Sequence, residues 1–357
     1  MAKSEKKKEA GGISLTSDNV DAHLKKKFGD GIFVGGDSIV NSNRIIVPFS
    51  PALDLILGGG IQEGSFCIFT GPPKVGKTTS CLDFAGTAQG LQYAPDFCPK
   101  GRHVYFFNVE GRLQARDLVA ISNLTTTPDR MTVIRSEPGR ILVAENYLEI
   151  LEAFVHTKPG AIFVIDSLSQ LCSHSRMTAN IGDRFRDDVP LMLASLTKRI
   201  SNVLPINKCI VLAVTHRIAN QDPKSQKKWT EASGQKVQYA VDTKLNATYA
   251  KPYMESSKED AAQIGQEIFW DCSASPLGPP GGKTTSLLRY GYGLDKAWEL
   301  VKYSKEIGLL KAAGAWIEFP DGSKVQGQEK ATDLIRNDKK LYQSLSKQFR
   351  EMMGMAA

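Results

Sequence analysis

Four continuous apolar runs punctuate the first two-thirds of the chain: residues 65–70 (SFCIFT), 103–109 (HVYFFNV), 161–166 (AIFVID) and 209–215 (CIVLAVT). They do not alternate apolar with polar positions, which predicts strands buried on both faces. Helical periodicity occupies the intervals, over 77–88, 144–156 and 189–203. Strand and helix in repeated succession predict an α/β fold around a mostly parallel central sheet. Three further runs, 244–250, 267–272 and 284–290, follow without long helices between them and are expected to extend the sheet antiparallel. After Gly293 the texture becomes a compact, Lys-rich α/β segment that closes in a helix over 330–353, read as a small C-terminal domain.

Composition narrows the class without changing this picture. The 357 residues suffice for a full core, and 41% hydrophobic with 23% charged residues is ordinary for a soluble protein. No apolar run approaches the roughly 20 residues a membrane span requires. The opening MAKSEKKKEAGG has no apolar stretch behind it, so it reads as a solvated tail in preference to a secretory signal or a DNA-binding arm. The six cysteines, Cys67, Cys81, Cys98, Cys172, Cys209 and Cys272, form no CxxC pair, and several sit in apolar runs. They suit small buried hydrophobes in a reducing cytoplasm more than metal or redox chemistry. A net charge of +7 is compatible with a polyanionic partner and does not establish one.

The strongest chemical signal is Gly71-Pro72-Pro73-Lys74-Val75-Gly76-Lys77-Thr78, which matches GxxxxGK[ST] and continues into Thr79. Glycines let successive N–H groups turn inward on phosphates at the positive end of a helix. A lysine at position 77 adds a cation to the terminal phosphates, and the Thr78 hydroxyl completes a Mg²⁺ shell. The loop is flanked by an expected strand and an expected helix, the context such a loop needs, so ATP or GTP binding is expected. A second stretch, 278–286 (GPPGGKTTS), is one residue short and precedes a strand-like run, so it reads as a turn between strands. Asp166 ends the run AIFVID, where a carboxylate beside such a loop holds the metal directly or through water. Glu110 ends HVYFFNVE; by itself it fits equally a group that polarises an attacking water and a solvated strand-end glutamate.

Beyond this loop the chain resembles the bacterial RecA-type recombinases and their phage-encoded relatives over nearly its whole length. HLKKKFGDGIFVGGD is similar to the family's N-terminal oligomerisation helix and loop, and SPALDLILGGGIQEGSFCIFTGPPKVGKTT to its approach to the phosphate loop. IGD at 181–183 resembles the first DNA-binding loop region. GYGLDKAWELVKYSKEIGLLKAAGAWIEF with GSKVQGQEKA is similar to the C-terminal domain, the most specific part of the match. The implied organisation is an N-terminal tail and oligomerisation element over 1–45, a RecA-like ATPase core over 46–295, and a C-terminal domain over 296–357. The implied function is ATP-dependent homologous recombination: polymerisation on single-stranded DNA as a homo-oligomeric helical filament, with ATP and Mg²⁺ at subunit interfaces, and pairing with a homologous duplex. A hexameric helicase or other RecA-fold motor and an ATP-binding but weakly hydrolysing DNA-coating filament are the rival readings. A bacterial cytoplasm is the implied location.

The resemblance also assigns roles. Glu110 falls at the catalytic carboxylate, Asp166 at the metal-associated aspartate, and His216 at the polar sensor of the γ-phosphate, with a buried structural histidine as its rival. Tyr290 matches a tyrosine that contacts nucleotide across the subunit interface. Tyr239 matches an aromatic beside the neighbouring subunit, where core packing is a serious alternative. The DNA loops are expected near 172–187 and 217–235. The first carries Arg176, Arg184, Phe185 and Arg186, and the second Arg217, Lys224, Lys227, Lys228 and Trp229; Lys198, on the helix after the first loop, is a further cation. Cations interleaved with an aromatic suit single-stranded nucleic acid, while solvated charged loops remain the plain alternative. Three departures mark a divergent, phage-encoded member. Ser273 and Ser275 stand where the family places two cations that reach the adjacent subunit's phosphates. GRLQARD lacks the adenine-stacking tyrosine, leaving Arg112 or Arg116 to stack instead. The chain stops at GMAA, where many members carry an acidic tail.

Overall fold

The computed structural model describes residues 17–40, 44–91, 98, 101–182, 188–219, 229–231, 241–255 and 260–355. Two compact units make up the chain, residues 1–44 and 45–357. The first contains the helix Ser17–Phe28, with Lys25, Lys26 and Lys27 in its last turn, and the short helix Gly36–Val40.

The second unit is built on a mixed sheet whose strands we label β1 (Phe66–Gly71), β2 (Val104–Asn108), β3 (Met131–Ile134), β4 (Ile162–Asp166), β5 (Ile210–Ala219), β6 (Thr243–Met254), β7 (Gln263–Ala274) and β8 (Gly282–Arg289). Their order across the sheet is β8-β7-β6-β1-β5-β4-β2-β3. From β6 to β3 every pairing is parallel, whereas β7 and β8 run antiparallel to their neighbours. The α/β architecture with a mostly parallel sheet is therefore as the pattern predicts. The antiparallel extension starts one strand later than expected, because β6 joins β1 in parallel. The loop at 278–281 connects β7 to β8, as a turn between strands.

Strand residues alternate between two cores, which explains why the runs are continuously apolar. Cys67, Phe69, Val104 and Phe106 face one cluster; Phe66, Ile68, Tyr105 and Phe107 face the other. The helices of this unit include α1 (Pro51–Leu57), α2 (Lys77–Gly90), α3 (Ala144–Thr157), α4 (Val189–Ile200), α5 (Lys296–Glu306), α6 (Gln328–Asn337) and α7 (Lys339–Met352). Cys81, Leu82, Phe84 and Ala85 of α2 pack on the first face, and α3 and α4 cover the second.

Residues 296–355 form a third cluster around Leu300, Val301, Ile317, Phe319, Ile335 and Phe349, together with Ala52 of α1. A three-stranded sheet of Lys311–Ala313, Trp316–Glu318 and Lys324–Gln326 lies in this region. The single closing helix expected over 330–353 is two helices. Asp338 ends α6 and its carboxylate accepts from the Lys340 and Leu341 N–H groups that open α7. Several polar contacts pin the region to the core. Arg350 bonds the Asp54 carboxylate at 2.8 Å, and Lys296 bonds Asp83 of α2 at 2.6 Å. Among the described residues no helix is long and apolar enough to cross a membrane.

Candidate functional site

Parallel pairing brings the carboxyl ends of four strands to one edge. Gly71 of β1 stands opposite His216 of β5, and Asn108 of β2 opposite Asp166 of β4. Just past β2, the Glu110 N–H donates to the Asp166 carbonyl at 2.9 Å. A crevice at such an edge is where α/β sheets hold ligands.

The loop between β1 and α2 wraps that crevice. Lys74 and Gly76 have φ of 59° and 96°, so the chain turns through left-handed backbone before the helix. Gly76 also fits tightly: a Cβ there would lie 2.8 Å from the Ile268 and Leu288 methyls. It caps α2 without any side-chain hydrogen bond, leaving the first-turn N–H groups for a ligand. Lys77 is buried and its ammonium donates to the Gly71 and Pro72 carbonyls at 3.0 and 2.6 Å. Those carbonyls hold the cation over the loop. Burial pulls its pKa down to about 8, with partial opposition from Asp166.

Thr78 donates from its hydroxyl to Asp166 at 2.9 Å. Burial raises the Asp166 pKa to about 6, opposed by the Thr78 bond and reinforced by Glu110. His216 is half-buried, its pKa is lowered by burial and by Lys77, and its Nδ1 has no hydrogen-bond partner. Glu110 forms an ion pair with Arg112 at 3.0 Å.

A cavity of about 580 Å³ joins these groups. Lys77, Thr78, Glu110, Asp166 and His216 line it, as do Arg112, Arg116, Asp117 and Tyr290. Five residues singled out from four separate sequence segments therefore line one cavity. Tyr290 lines the cavity of its own chain, whereas the resemblance implied contact from a neighbouring subunit. Its hydroxyl accepts from Gln263 Nε2 at 2.8 Å, which orients the ring. Arg112 and Arg116 both reach the cavity; Asp117 is engaged in capping the Gln114 N–H.

The residues fit a phosphate-bound cation. Thr78 and Asp166 offer one hydroxyl and one carboxylate, the oxygen donors that Mg²⁺ takes, and leave its other positions to phosphate and water. Among the described residues no group of three or more His, Cys, Asp or Glu side chains is placed to hold an ion without such help.

The candidate DNA-contacting residues are placed only in part. Arg176 sits on a short helix, His174–Thr178, inside the segment expected to be loop, and Lys198 is exposed on α4. Arg217 lies on β5 opposite Glu231 of the short strand Trp229–Glu231. Arg184, Phe185, Arg186, Lys224, Lys227, Lys228 and Tyr239 lie outside the described residues. Ser275 is part of a turn, donating to the Leu57 carbonyl and accepting from the Leu277 and Gly278 N–H groups. Ser273 accepts from Asn246. Sequence reasoning missed Gln266, which lines the cavity and donates to the Lys74 carbonyl at 3.3 Å. Its place on β7, two strands from β1 in the sheet, leaves no local sequence signal.

Comparison with known proteins agrees with this geometry. A family model described as AAA domain matches residues 39–217. The chain is similar to Protein RecA of Nocardioides sp. (strain ATCC BAA-499 / JS614), at 24% identity over 94% of this chain and 90% of that protein. Protein RecA of Helicobacter pylori (strain P12) is 24% identical over 99% of this chain and 95% of its own length. Protein RecA of Streptococcus sanguinis (strain SK36) is 23% identical over 95% and 85%.

Proposed function

We propose, for a chain that belongs to the AAA domain family and is a divergent RecA-type protein, that it is an ATP-dependent homologous recombination protein. It polymerises on single-stranded DNA as a helical filament and pairs that strand with a homologous duplex. The observation that carries the reading is the register of β1, β4 and β5. The strand ends that bring Asp166 and His216 to the cavity also lead into segments 172–187 and 217–235, so nucleotide and DNA contacts share the same two strands.

In this reading the loop N–H groups and Lys77 bind the ATP phosphates, and Thr78 with Asp166 hold Mg²⁺. The ion, when bound, neutralises charge on the phosphate oxygens. Glu110 takes the proton of the attacking water, and Tyr290 flanks the nucleotide. His216, which lines the cavity, reports the γ-phosphate to the segment that begins at Arg217. Arg176, Arg184, Arg186, Lys198, Arg217, Lys224, Lys227 and Lys228 follow the DNA backbone, Phe185 meets bases, and Tyr239 meets the next subunit. Residues 1–45 serve oligomerisation, 46–295 the ATPase core, and 296–357 form the C-terminal domain.

A second reading, a weakly hydrolysing DNA-coating filament, is favoured by Ser275, whose hydroxyl is committed to a turn where the family supplies a cation. Electron microscopy on single-stranded DNA with a non-hydrolysable ATP analogue tests assembly: extended helical filaments are expected, and closed rings would point to a hexameric motor. DNA affinity measured with ATP, ADP and the analogue tests the switch. A ligand shifts an equilibrium only through differential affinity, so equal DNA affinity in all three would remove it.

A further inference from the structure

Hydrolysis of a γ-phosphate needs cations facing the negatively charged equatorial oxygens in the transition state. Neither Ser273 nor Ser275 supplies a cation, and both hydroxyls are already bonded within the chain. A different cation lines the cavity that holds the phosphate loop. Arg112 lines it together with Lys77, Thr78, Asp166 and His216, and its guanidinium pairs with Glu110 at 3.0 Å. Gly111, at φ 72°, turns the chain out of β2 between the two. The Arg112 side chain is 82% exposed, so the ion pair is loosely held and open to exchange.

We propose that Arg112 supplies in cis the cation that stabilises the transferring γ-phosphoryl group. Without nucleotide it rests on Glu110. A triphosphate offers more negative charge than one carboxylate, so the guanidinium moves onto the γ-phosphate oxygens and frees Glu110. The water oxygen then bonds the γ-phosphorus and the bond from that phosphorus to the β,γ-bridging oxygen breaks. The water proton passes to the Glu110 carboxylate, leaving ADP and inorganic phosphate. Arg112 thus carries the charge role in each subunit's own site. The inference rests on the ATP-hydrolysing reading above.

The test is steady-state ATPase of wild type, Arg112→Ala and Arg112→Lys with saturating single-stranded DNA, with Mg-ADP affinity measured alongside. Arg112→Ala is expected to lower kcat at least about a hundredfold while ADP affinity changes less than about threefold, and Arg112→Lys to recover part of kcat. A mixing experiment separates cis from trans. Arg112→Ala subunits are combined with Lys77→Ala subunits, which keep Arg112 and lack a working phosphate loop. No recovery of hydrolysis is expected. Recovery would overturn the cis assignment, and wild-type kcat in Arg112→Ala would overturn the role altogether. Absence of hydrolysis in the wild-type protein would instead sink the ATPase reading on which the inference stands.

Discussion

Thr78, in the first turn of α2, donates its hydroxyl to Asp166, the last residue of β4, across 2.9 Å. Eighty-eight residues of sequence separate the two, and the parallel sheet closes that distance. Burial sets the pKa of Asp166 at about 6, above the ordinary carboxylate value of 3.8. Mg²⁺ binds the ionised carboxylate, so proton and cation compete for the same group. Affinity for the Mg²⁺–nucleotide complex is therefore expected to be full above about pH 7 and to fall as pH drops through 6, by up to about tenfold per unit. Asp166→Asn should flatten this profile and weaken binding at pH 7.5 by about tenfold or more. Calorimetric titration of Mg-ADP between pH 5 and 8 reads both effects; a flat wild-type profile contradicts the assignment.

Gly76 is confined by backbone and by packing together. Its φ of 96° disfavours any side chain, and a Cβ would press to 2.8 Å from methyls of Ile268 and Leu288 on the antiparallel strands. Gly76→Ala should destabilise the fold by about 1–3 kcal/mol and displace the loop from its phosphate-binding shape. Urea unfolding and fluorescent-nucleotide titration are the readouts. Unchanged nucleotide affinity would show that the loop does not depend on this contact.

Glu299 of α5 is fully buried, accepts from the Ala52 N–H at 3.0 Å, and has its Oε1 without a partner. Burial raises its pKa to about 8 from 4.5. The folded protein therefore holds a proton that the unfolded chain loses near pH 4.5, and the associated stability is lost as pH rises from there to about 8. Glu299→Gln, neutral at every pH, should match wild type near pH 5 and exceed it above pH 8, by about 1–4 kcal/mol. Thermal unfolding across that range checks the sign. A Gln variant less stable than wild type at pH 8.5 would mean that the charged form is the favoured one.

The core was legible because β1, β2, β4 and β5 of the parallel sheet are covered on both faces, which writes them into the sequence as continuous apolar runs. The phosphate loop was legible because its backbone path demands Gly76 and its charge demands Lys77. β3 was not: Met131–Ile134 is short, lies at the sheet edge, and buries only Met131 fully, so its pattern carries little signal. The break at Asp338 was hidden because the residues on either side keep helical periodicity. Arg102 reads as an ordinary surface charge, yet it is wholly buried, donating to the Gly160 and Lys208 carbonyls and to Glu63 at 2.9, 2.9 and 3.0 Å. It joins three segments that lead into β1, β4 and β5, a role that only the folded arrangement creates. The site was legible residue by residue, but the meeting of Glu110, Arg112 and His216 in one cavity depends on strand order, which no local pattern encodes.

In the proposed function this cavity hydrolyses ATP in response to DNA. Steady-state ATPase with and without single-stranded DNA tests it most directly, with Lys77→Ala as control. Lys77→Ala removes the cation that the Gly71 and Pro72 carbonyls hold over the loop. Hydrolysis that single-stranded DNA stimulates severalfold or more in wild type and that falls to background in Lys77→Ala is expected. Hydrolysis indifferent to DNA, or undiminished in Lys77→Ala, would contradict it.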